Sequence, residues 1–319
     1  MFLTRDRLIA VQEYTILLCE MHNASIVINR RKLMANQSHF DLLKQGEAAW
    51  NPWRKLHPDI QPDLQGADLS QTNLRGTDLR GANLNQANLS QAQCVVIDLR
   101  EADLRGADLR LADVGSADLE GADLRESLLT GANVLEVNFT NANLRGADLS
   151  KLDLLYTSFV KANLQGSNCA EADLSATSLE RANAKGANFS HANLTMSNLE
   201  EVDLSDALLR MAQFVGASLN NANLSGADLR EANFNKANPR WVNTHGGSPQ
   251  EADLSGANLS HADLRNADVR TANVSGAIFK GANLSGADLR GVDLTGVDLS
   301  EANLTGALLD NTHLPDSTD

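Results

Sequence analysis

Aromatic side chains make up only 4% of this sequence, which is too little to fill a thick globular core in a chain of 319 residues. Cysteine is almost as scarce, and three thiols exclude a disulfide-stapled scaffold. Basic residues are in the minority, since 27 Lys and Arg face 41 Asp and Glu for a net charge of −14. This balance excludes a nucleic-acid binder that depends on a basic surface.

Long hydrophobic runs are missing as well. The most apolar stretch, 8–28, is interrupted by Gln12, Glu13 and Glu20, whereas a membrane span needs about 20 apolar residues in a row. No secretory signal with a small-residue cleavage site is recognisable. We therefore expect a cytoplasmic protein with no membrane segment.

What the sequence has in abundance is a repeat of five residues. From Leu64 to Leu309 the central position of each pentapeptide holds Leu in 34 of 50 copies, Phe in six and Val in four. Ala usually stands two residues earlier, Asp or Asn comes directly before the central residue, and two polar residues or Gly follow it. The phase of five never slips over this range.

A period of five fits neither a helix nor a straight strand. Leu at every fifth position would step about 140° around a helix and form no stripe, and in a strand it would alternate between faces. The chain keeps every Ala and Leu inside only if it turns a corner in each repeat, and Asn, Asp, Ser and Gly are the residues that turns favour. The pattern predicts a solenoid whose short extended sides pair in parallel and wind to the right.

The motif Ala-(Asp/Asn)-Leu-x-x resembles the pentapeptide repeat family over residues 62–309. The resemblance implies an all-β solenoid, namely a right-handed quadrilateral β-helix in which four repeats form each coil. The phenylalanines agree with such a coil. Phe139 and Phe159 lie four repeats apart, as do Phe214 and Phe234, so each pair is expected to stack on one side.

An α-helical cap is predicted over residues 34–61, because the end of a solenoid exposes unpaired backbone and apolar interior. Leu43, Trp50 and Trp53 stand at helical spacing, and we expect the two tryptophans to cover the first coil. Asn51-Pro52 is expected to start a second short turn.

The two termini differ from both the cap and the repeat. Residues 1–33 are either a further helix or an upstream extension before a natural start at Met34. Residues 310–319 are expected to form a short polar tail.

One stretch inside the repeat, 238–250, loses the pattern and places two prolines at inward positions. It is either a loop that leaves the coil or a degraded part of the coil. An insertion of arbitrary length would usually break the phase of five, so the kept phase favours replacement of coil. Loops often bind partners, and the residues that would do so here are Arg240, Trp241 and His245.

Catalysis has little support in the sequence. The Asp residues before each centre are explained by the turns, and His245-Gly-Gly-Ser has no nucleophile elbow to accompany it. Cys94 and Cys169 take inward positions of Leu, which predicts two buried thiols too far apart to pair. We predict a protein that is not an enzyme and has no metal site and no cofactor.

The outward positions predict ridges of arginine when they are read down a coil of 20 residues. We interpret these ridges as neutralised by nearby Asp. One corner is predicted to carry Arg105, Arg125 and Arg145, and a second Arg210, Arg230, Arg270 and Arg290.

A third corner is unusually apolar, and contiguous exposed apolar surface often marks a partner site. Leu135, Leu155 and Tyr156 are expected to stack there in the open. The candidate partner-binding residues are Val95, Val96, Leu135, Leu155, Tyr156 and Met196.

These observations predict an interaction scaffold, a rigid rod that presents flat faces and one partly apolar corner to a protein partner. The alternative comes from the resemblance. The best-known members of the family mimic DNA with an acidic rod, inhibit or protect a topoisomerase such as gyrase, and dimerise through an apolar C-terminal end. The acidic rod supports this alternative, whereas the arginine ridges and the polar tail oppose it.

Overall fold

The computed structural model describes residues 35–234 and 252–315, and these form two short helices followed by a solenoid. Parallel β-bridges join residues 20 positions apart, beginning with Asp63 to Asn83 and ending with Asp293 to His313. Four such stacks run along the rod, and they start at Asp63, Asp68, Asn73 and Asp78. We call them sides one to four. Each coil therefore has four sides, as the resemblance to the family implied.

Each corner of the coil is a tight turn that begins at the central residue. The N–H of Ala67 donates to the carbonyl of Leu64 over 3.0 Å, and Gly66 between them has φ 65°. A positive φ at the third residue is the mark of a type II turn. The side chain before the centre completes the turn, because the N–H of Ser70 donates to Oδ1 of Asp68 over 3.1 Å. This contact explains the Asp or Asn in each repeat.

The core is the stack of inward Ala and Leu side chains, interrupted by a few larger rings. Phe139 and Phe159 stack with centroids 5.2 Å apart, and Phe214 and Phe234 stack at 4.7 Å, as predicted. The inward thiols are buried as predicted too. Burial raises the pKa of both Cys94 and Cys169 to about 12.

The cap consists of α1 (Gln37–Leu43) and α2 (Glu47–Leu56), separated by Gly46 at φ 90°. Leu43 and Trp50 are buried, and Nε1 of Trp50 donates to the carbonyl of Asp78 over 2.7 Å. Trp53 is only partly buried, with its ring centroid 5.0 Å from that of Trp50.

The prediction that a new turn starts at Asn51-Pro52 was wrong, because α2 continues through both residues. Tertiary contacts account for this. Asn51 accepts a hydrogen bond from the N–H of Asp78 over 2.9 Å and donates one to the carbonyl of Gly76 over 3.0 Å, which holds the helix on the edge of the first coil.

The coil register changes once. Ser218 pairs with Asp253 and Asn223 with Asn258, so partners lie 35 residues apart instead of 20. Fifteen residues between 234 and 252 are therefore additional to the coil, and the prediction that 238–250 replaces coil was wrong. Fifteen residues equal three repeats, which is why the phase of five survived. Arg240, Trp241 and His245 lie outside the described residues.

At the other end, the ladder runs past the expected boundary at 309. The N–H of Leu294 donates to the carbonyl of His313 over 2.8 Å, so the predicted tail 310–319 begins too early. Neither helix in the described part of the chain is long and apolar enough to cross a membrane.

Candidate functional site

The corner between sides three and four contains every residue of the predicted partner site. Its turns are pairs of residues that stack coil upon coil, and we call them the apolar corner. They are Val95-Val96, Gly115-Ser116, Leu135-Glu136, Leu155-Tyr156, Ser175-Ala176, Thr195-Met196 and Val215-Gly216.

The two positions of each turn differ in exposure. The first residue leans on the rod, so Val95, Leu135 and Leu155 are half-buried, and the expectation that both leucines lie in the open was wrong. The second residue points outward, so Val96 and Tyr156 are each 55% exposed. The apolar corner therefore has Val95, Leu135 and Leu155 recessed along it, while Val96, Glu136 and Tyr156 project from it.

The outward position is also the strained one, because its backbone is left-handed. Val96 has φ 59° and Tyr156 has φ 57°. L-residues with a side chain pay about 1–2 kcal/mol in this region, and a β-branched residue there is an outlier. Gly occupies the same position in many other turns, for example Gly106 and Gly146. Valine and tyrosine at this corner are therefore not required by the turn.

The register change falls at this same corner. Phe234 ends a repeat on side three, and the next described residues, from Ala252, belong to side four. The apolar corner and the register change therefore lie on one edge of the rod.

Many arginines of the rod form an ion pair with the Asp two residues before them. In each Asp-Leu-Arg or Asp-Val-Arg triplet the guanidinium folds back on the carboxylate two residues earlier, as in Arg125, whose Nη2 lies 2.6 Å from Oδ2 of Asp123. The hydrogen bonds from Arg105 lower the pKa of Asp103. The predicted neutralisation by Asp is confirmed for five of the seven ridge arginines, namely Arg105, Arg125, Arg230, Arg270 and Arg290, but not for Arg145 or for Arg210, which pairs with Glu231. The same pair with Asp forms at Arg80, Arg100, Arg110 and Arg265.

The prediction that Arg210, Arg230, Arg270 and Arg290 share one corner was wrong. The register change places Arg265, not Arg270, after Arg230, and Nε of Arg230 lies 3.8 Å from Oδ2 of Asp263. Arg270 and Arg290 stand instead on the corner between sides three and four. The ridge of Arg105, Arg125 and Arg145 is present as predicted, since their preceding residues are bridged in register.

Two cations on the middle part of the rod lack such a partner. Arg145, a member of the first predicted ridge, follows Asn143 rather than Asp, and Lys161, which the sequence reasoning did not single out, stands at an exposed outward turn position. Among the residues that the structure describes, neither lies within 4.0 Å of a carboxylate oxygen. The same holds for Arg75, which follows Asn73, so Asn-Leu-Arg in place of Asp-Leu-Arg is the sequence signal of an arginine without an internal partner.

Clefts lie at the junction of cap and rod. Arg54, Arg80 and Arg100 line one of them, but Arg80 and Arg100 are already paired with Asp78 and Asp98. Lys44 and Arg75 line another, together with Glu47. Within 35–234 and 252–315 no group of three His, Cys, Asp or Glu side chains is arranged to hold a metal ion.

Comparison with known proteins places the chain in a family. The model for pentapeptide repeats matches eight times, at residues 63–93, 97–125, 117–154, 157–195, 167–206, 197–235, 250–281 and 277–314. No curated protein matches the chain.

Solved structures with similar sequences are pentapeptide repeat or quinolone-resistance proteins. HetL, a pentapeptide repeat protein involved in heterocyst differentiation regulation from the cyanobacterium Nostoc sp., is 32% identical over 79% of this chain and 94% of its own, with a TM-score of 0.38. Full-length QnrB1, a plasmid-mediated fluoroquinolone resistance protein, is 18% identical over 65% of this chain and 91% of its own, with a TM-score of 0.30. A thylakoid-lumen pentapeptide repeat protein of Arabidopsis thaliana is 30% identical over 36% of this chain and 70% of its own, with a TM-score of 0.15. On the family match, the chain belongs to the pentapeptide repeat family.

Proposed function

We propose that this protein is a non-enzymatic scaffold that binds a protein partner through the apolar corner. One observation carries the proposal. Val96 and Tyr156 put large apolar side chains into solvent at turn positions that disfavour them and that Gly fills elsewhere. Exposed apolar surface of this kind is typical of interaction sites. The coil is proposed to wind to the right, as parallel crossovers do, and the protein to act in the cytoplasm.

The partner-binding residues divide into two roles. Val96 and Tyr156 project, and Met196 follows them at the outward position two coils beyond Tyr156, partly exposed. Val95, Leu135 and Leu155 form the recessed wall beside them. A partner side chain that enters between Val96 and Tyr156 would bury apolar surface of both proteins, and this burial contributes about 25 cal/mol per Å² to binding.

The test is a tagged pull-down from lysate of the native cell with matched variants. Val96→Lys/Tyr156→Lys places charges at outward positions that Lys already occupies at 151 and 161, so the turn tolerates them. The control, Leu111→Lys/Met211→Lys, removes exposed apolar residues from the same turn position on another corner. We expect a partner that is retained by the wild type and by the control and lost from the first variant. Equal capture by all three proteins contradicts the proposal.

The second candidate function is a DNA-mimicking inhibitor or protector of a topoisomerase. The net charge favours it, because residues 62–319 contain 19 basic and 35 acidic side chains. The nine internal Arg–carboxylate pairs reduce the free negative charge on the rod and oppose it. Salt-sensitive inhibition of gyrase supercoiling by the wild type, unchanged in Val96→Lys/Tyr156→Lys, would replace the first proposal by this one.

A further inference from the structure

Part of the rod has no carboxylates on two neighbouring sides. The outward row of side four runs Asn138, Ser158 and Ser178, and that of side one runs Asn143, Asn163 and Asn183. Asp118 and Asp123 precede these rows, and Asp203 follows on side one. We call the area between these aspartates the neutral face. In the same coils, sides two and three carry Asp148, Asp153 and Asp173.

Three cations stand on or beside the neutral face. Arg145 and Lys185 stand two coils apart on the corner between sides one and two, with Gln165 on the turn between them, and Lys161 stands on the corner between sides four and one, in the middle of the face. Arg145 lacks the carboxylate that its neighbour Arg125 holds at 2.6 Å, because residue 143 is Asn. Lys185 has one partner, Asp206, at 3.3 Å.

The acidic side chains near this face are already engaged. Glu180 and Glu201 both contact Arg181, at 3.5 and 2.8 Å. Glu136, on the apolar corner, accepts a hydrogen bond from the hydroxyl of Ser116 over 3.1 Å. Arg145 and Lys161 are therefore cations of this surface without a carboxylate partner, whereas Glu136 keeps its negative charge because a hydroxyl group does not neutralise it.

One edge of the neutral face is the apolar corner, at Leu135, Leu155 and Tyr156. Across the surface the order is therefore the apolar corner, the short neutral side chains of side four, the charged corner of Lys161, Glu180 and Arg181, the Asn row of side one, and finally Arg145 and Lys185. At about 4.8 Å per coil, the three coils of the neutral face span about 10 Å. A patch of this size fits a short segment, since a whole domain interface buries far more surface.

From this arrangement we infer that the partner docks an acidic amphipathic protein segment on the neutral face. Its apolar residues contact the apolar corner, and its carboxylates face Arg145, Lys161 and Lys185. Charge-assisted hydrogen bonds of this kind set register and specificity as well as affinity. The inference rests on the proposed function and adds the sign of the partner's charge. A DNA-mimicking surface would instead require a positively charged partner.

The experiment selects ligands from a random 16-residue peptide library against the immobilised full chain, at low salt. Enriched peptides are synthesised, and their affinities are measured for the wild type and for Arg145→Glu/Lys161→Glu/Lys185→Glu. We expect peptides that combine Asp or Glu with apolar residues and that lose at least tenfold in affinity to the triple variant. The control, Arg75→Glu/Lys151→Glu/Lys280→Glu, makes the same change of charge away from this face and is expected to bind as the wild type does.

The variant Val96→Lys/Tyr156→Lys separates this inference from the proposed function. Peptides that are lost from this variant but bind the Glu triple variant within twofold would leave the apolar docking site standing and overturn the acidic partner. Peptides that bind both variants as tightly as the wild type would overturn both the inference and the proposed function. Enrichment of basic peptides, enrichment of none, or tighter binding of a dT20 oligonucleotide than of any peptide would overturn the inference.

Discussion

Replacing Val96 with Gly is expected to stabilise the rod, although it removes an apolar side chain. Val96 has φ 59°, and release of a β-branched residue from this region recovers about 2 kcal/mol, the upper end of the usual penalty. Two losses oppose this gain. Glycine costs about 0.7 kcal/mol in unfolded-chain entropy, and because Val96 is 55% exposed, its lost burial costs about 0.7 kcal/mol. The net expectation is about 0.5 kcal/mol of added stability.

The neighbouring valine provides the control. Val95 is half-buried and is not in the left-handed region, so Val95→Gly recovers no strain and is expected to cost about 1.5 kcal/mol from entropy and burial. The two variants have the same amino-acid composition, and their stabilities are expected to change in opposite directions. Urea denaturation gives the difference, and hydrogen exchange of peptides covering residues 90–100 localises it, because repeat rods open locally. A loss of stability in Val96→Gly as large as in Val95→Gly would refute the argument from strain.

Four further results are expected. Leu149→Lys buries an ammonium in the core and should abolish cooperative melting followed by far-UV circular dichroism; a melt like the wild type's would contradict the register. Because Arg105 lowers the pKa of Asp103 in the folded state, pairs of this kind stabilise the fold at neutral pH and lose that effect as the pH falls below about 4; a urea midpoint unchanged between pH 7 and pH 3 would contradict this. Cys94 and Cys169 should react with a thiol reagent only on unfolding, since burial raises the pKa of each to about 12; rapid labelling of either residue in the native protein, located by peptide mapping, would contradict its burial. Deletion of 235–249 removes only residues additional to the coil, so exchange protection of the coils on either side should persist; its loss would show that the segment forms part of the coil.

The fold was predictable because one physical constraint repeats fifty times in the sequence. Ala and Leu must both point inward, and Asp or Asn must cap each turn, as the contact of Ser70 with Asp68 shows. The register change was not predictable in the same way. Fifteen extra residues preserve the phase of five but change the side on which every later residue falls relative to a uniform count of 20, and the bridge from Ser218 to Asp253 reveals this. The assignment of Arg270 to a corner failed for that reason.

The sequence predicted where the candidate site lies on the rod, but not which of its side chains project into solvent. The spacing of 20 residues placed Leu135, Leu155 and Tyr156 in one column, and the structure agrees. Sequence periodicity does not show that the first turn residue leans inward while the second projects, so the two leucines were expected to be more exposed than they are. In the cap, the same limitation applies to Pro52, which stays helical because tertiary contacts of α2 outweigh its local preference.

The information about binding lies where a repeat departs from what the coil requires. The backbone turn accepts either Asp or Asn before the centre, so the turn itself does not decide which of them stands at 143, yet that choice decides whether Arg145 forms an internal ion pair or stays available to a partner. The outward turn position is satisfied best by Gly, so folding disfavours Val96 and Tyr156, which nevertheless stand there. The net charge of −14 is an average over all of these choices and does not report the local sign at any one face. A rod built from nearly identical repeats can thus be acidic overall and still select an acidic partner, because a few substitutions that leave the coil intact determine the chemistry of one surface.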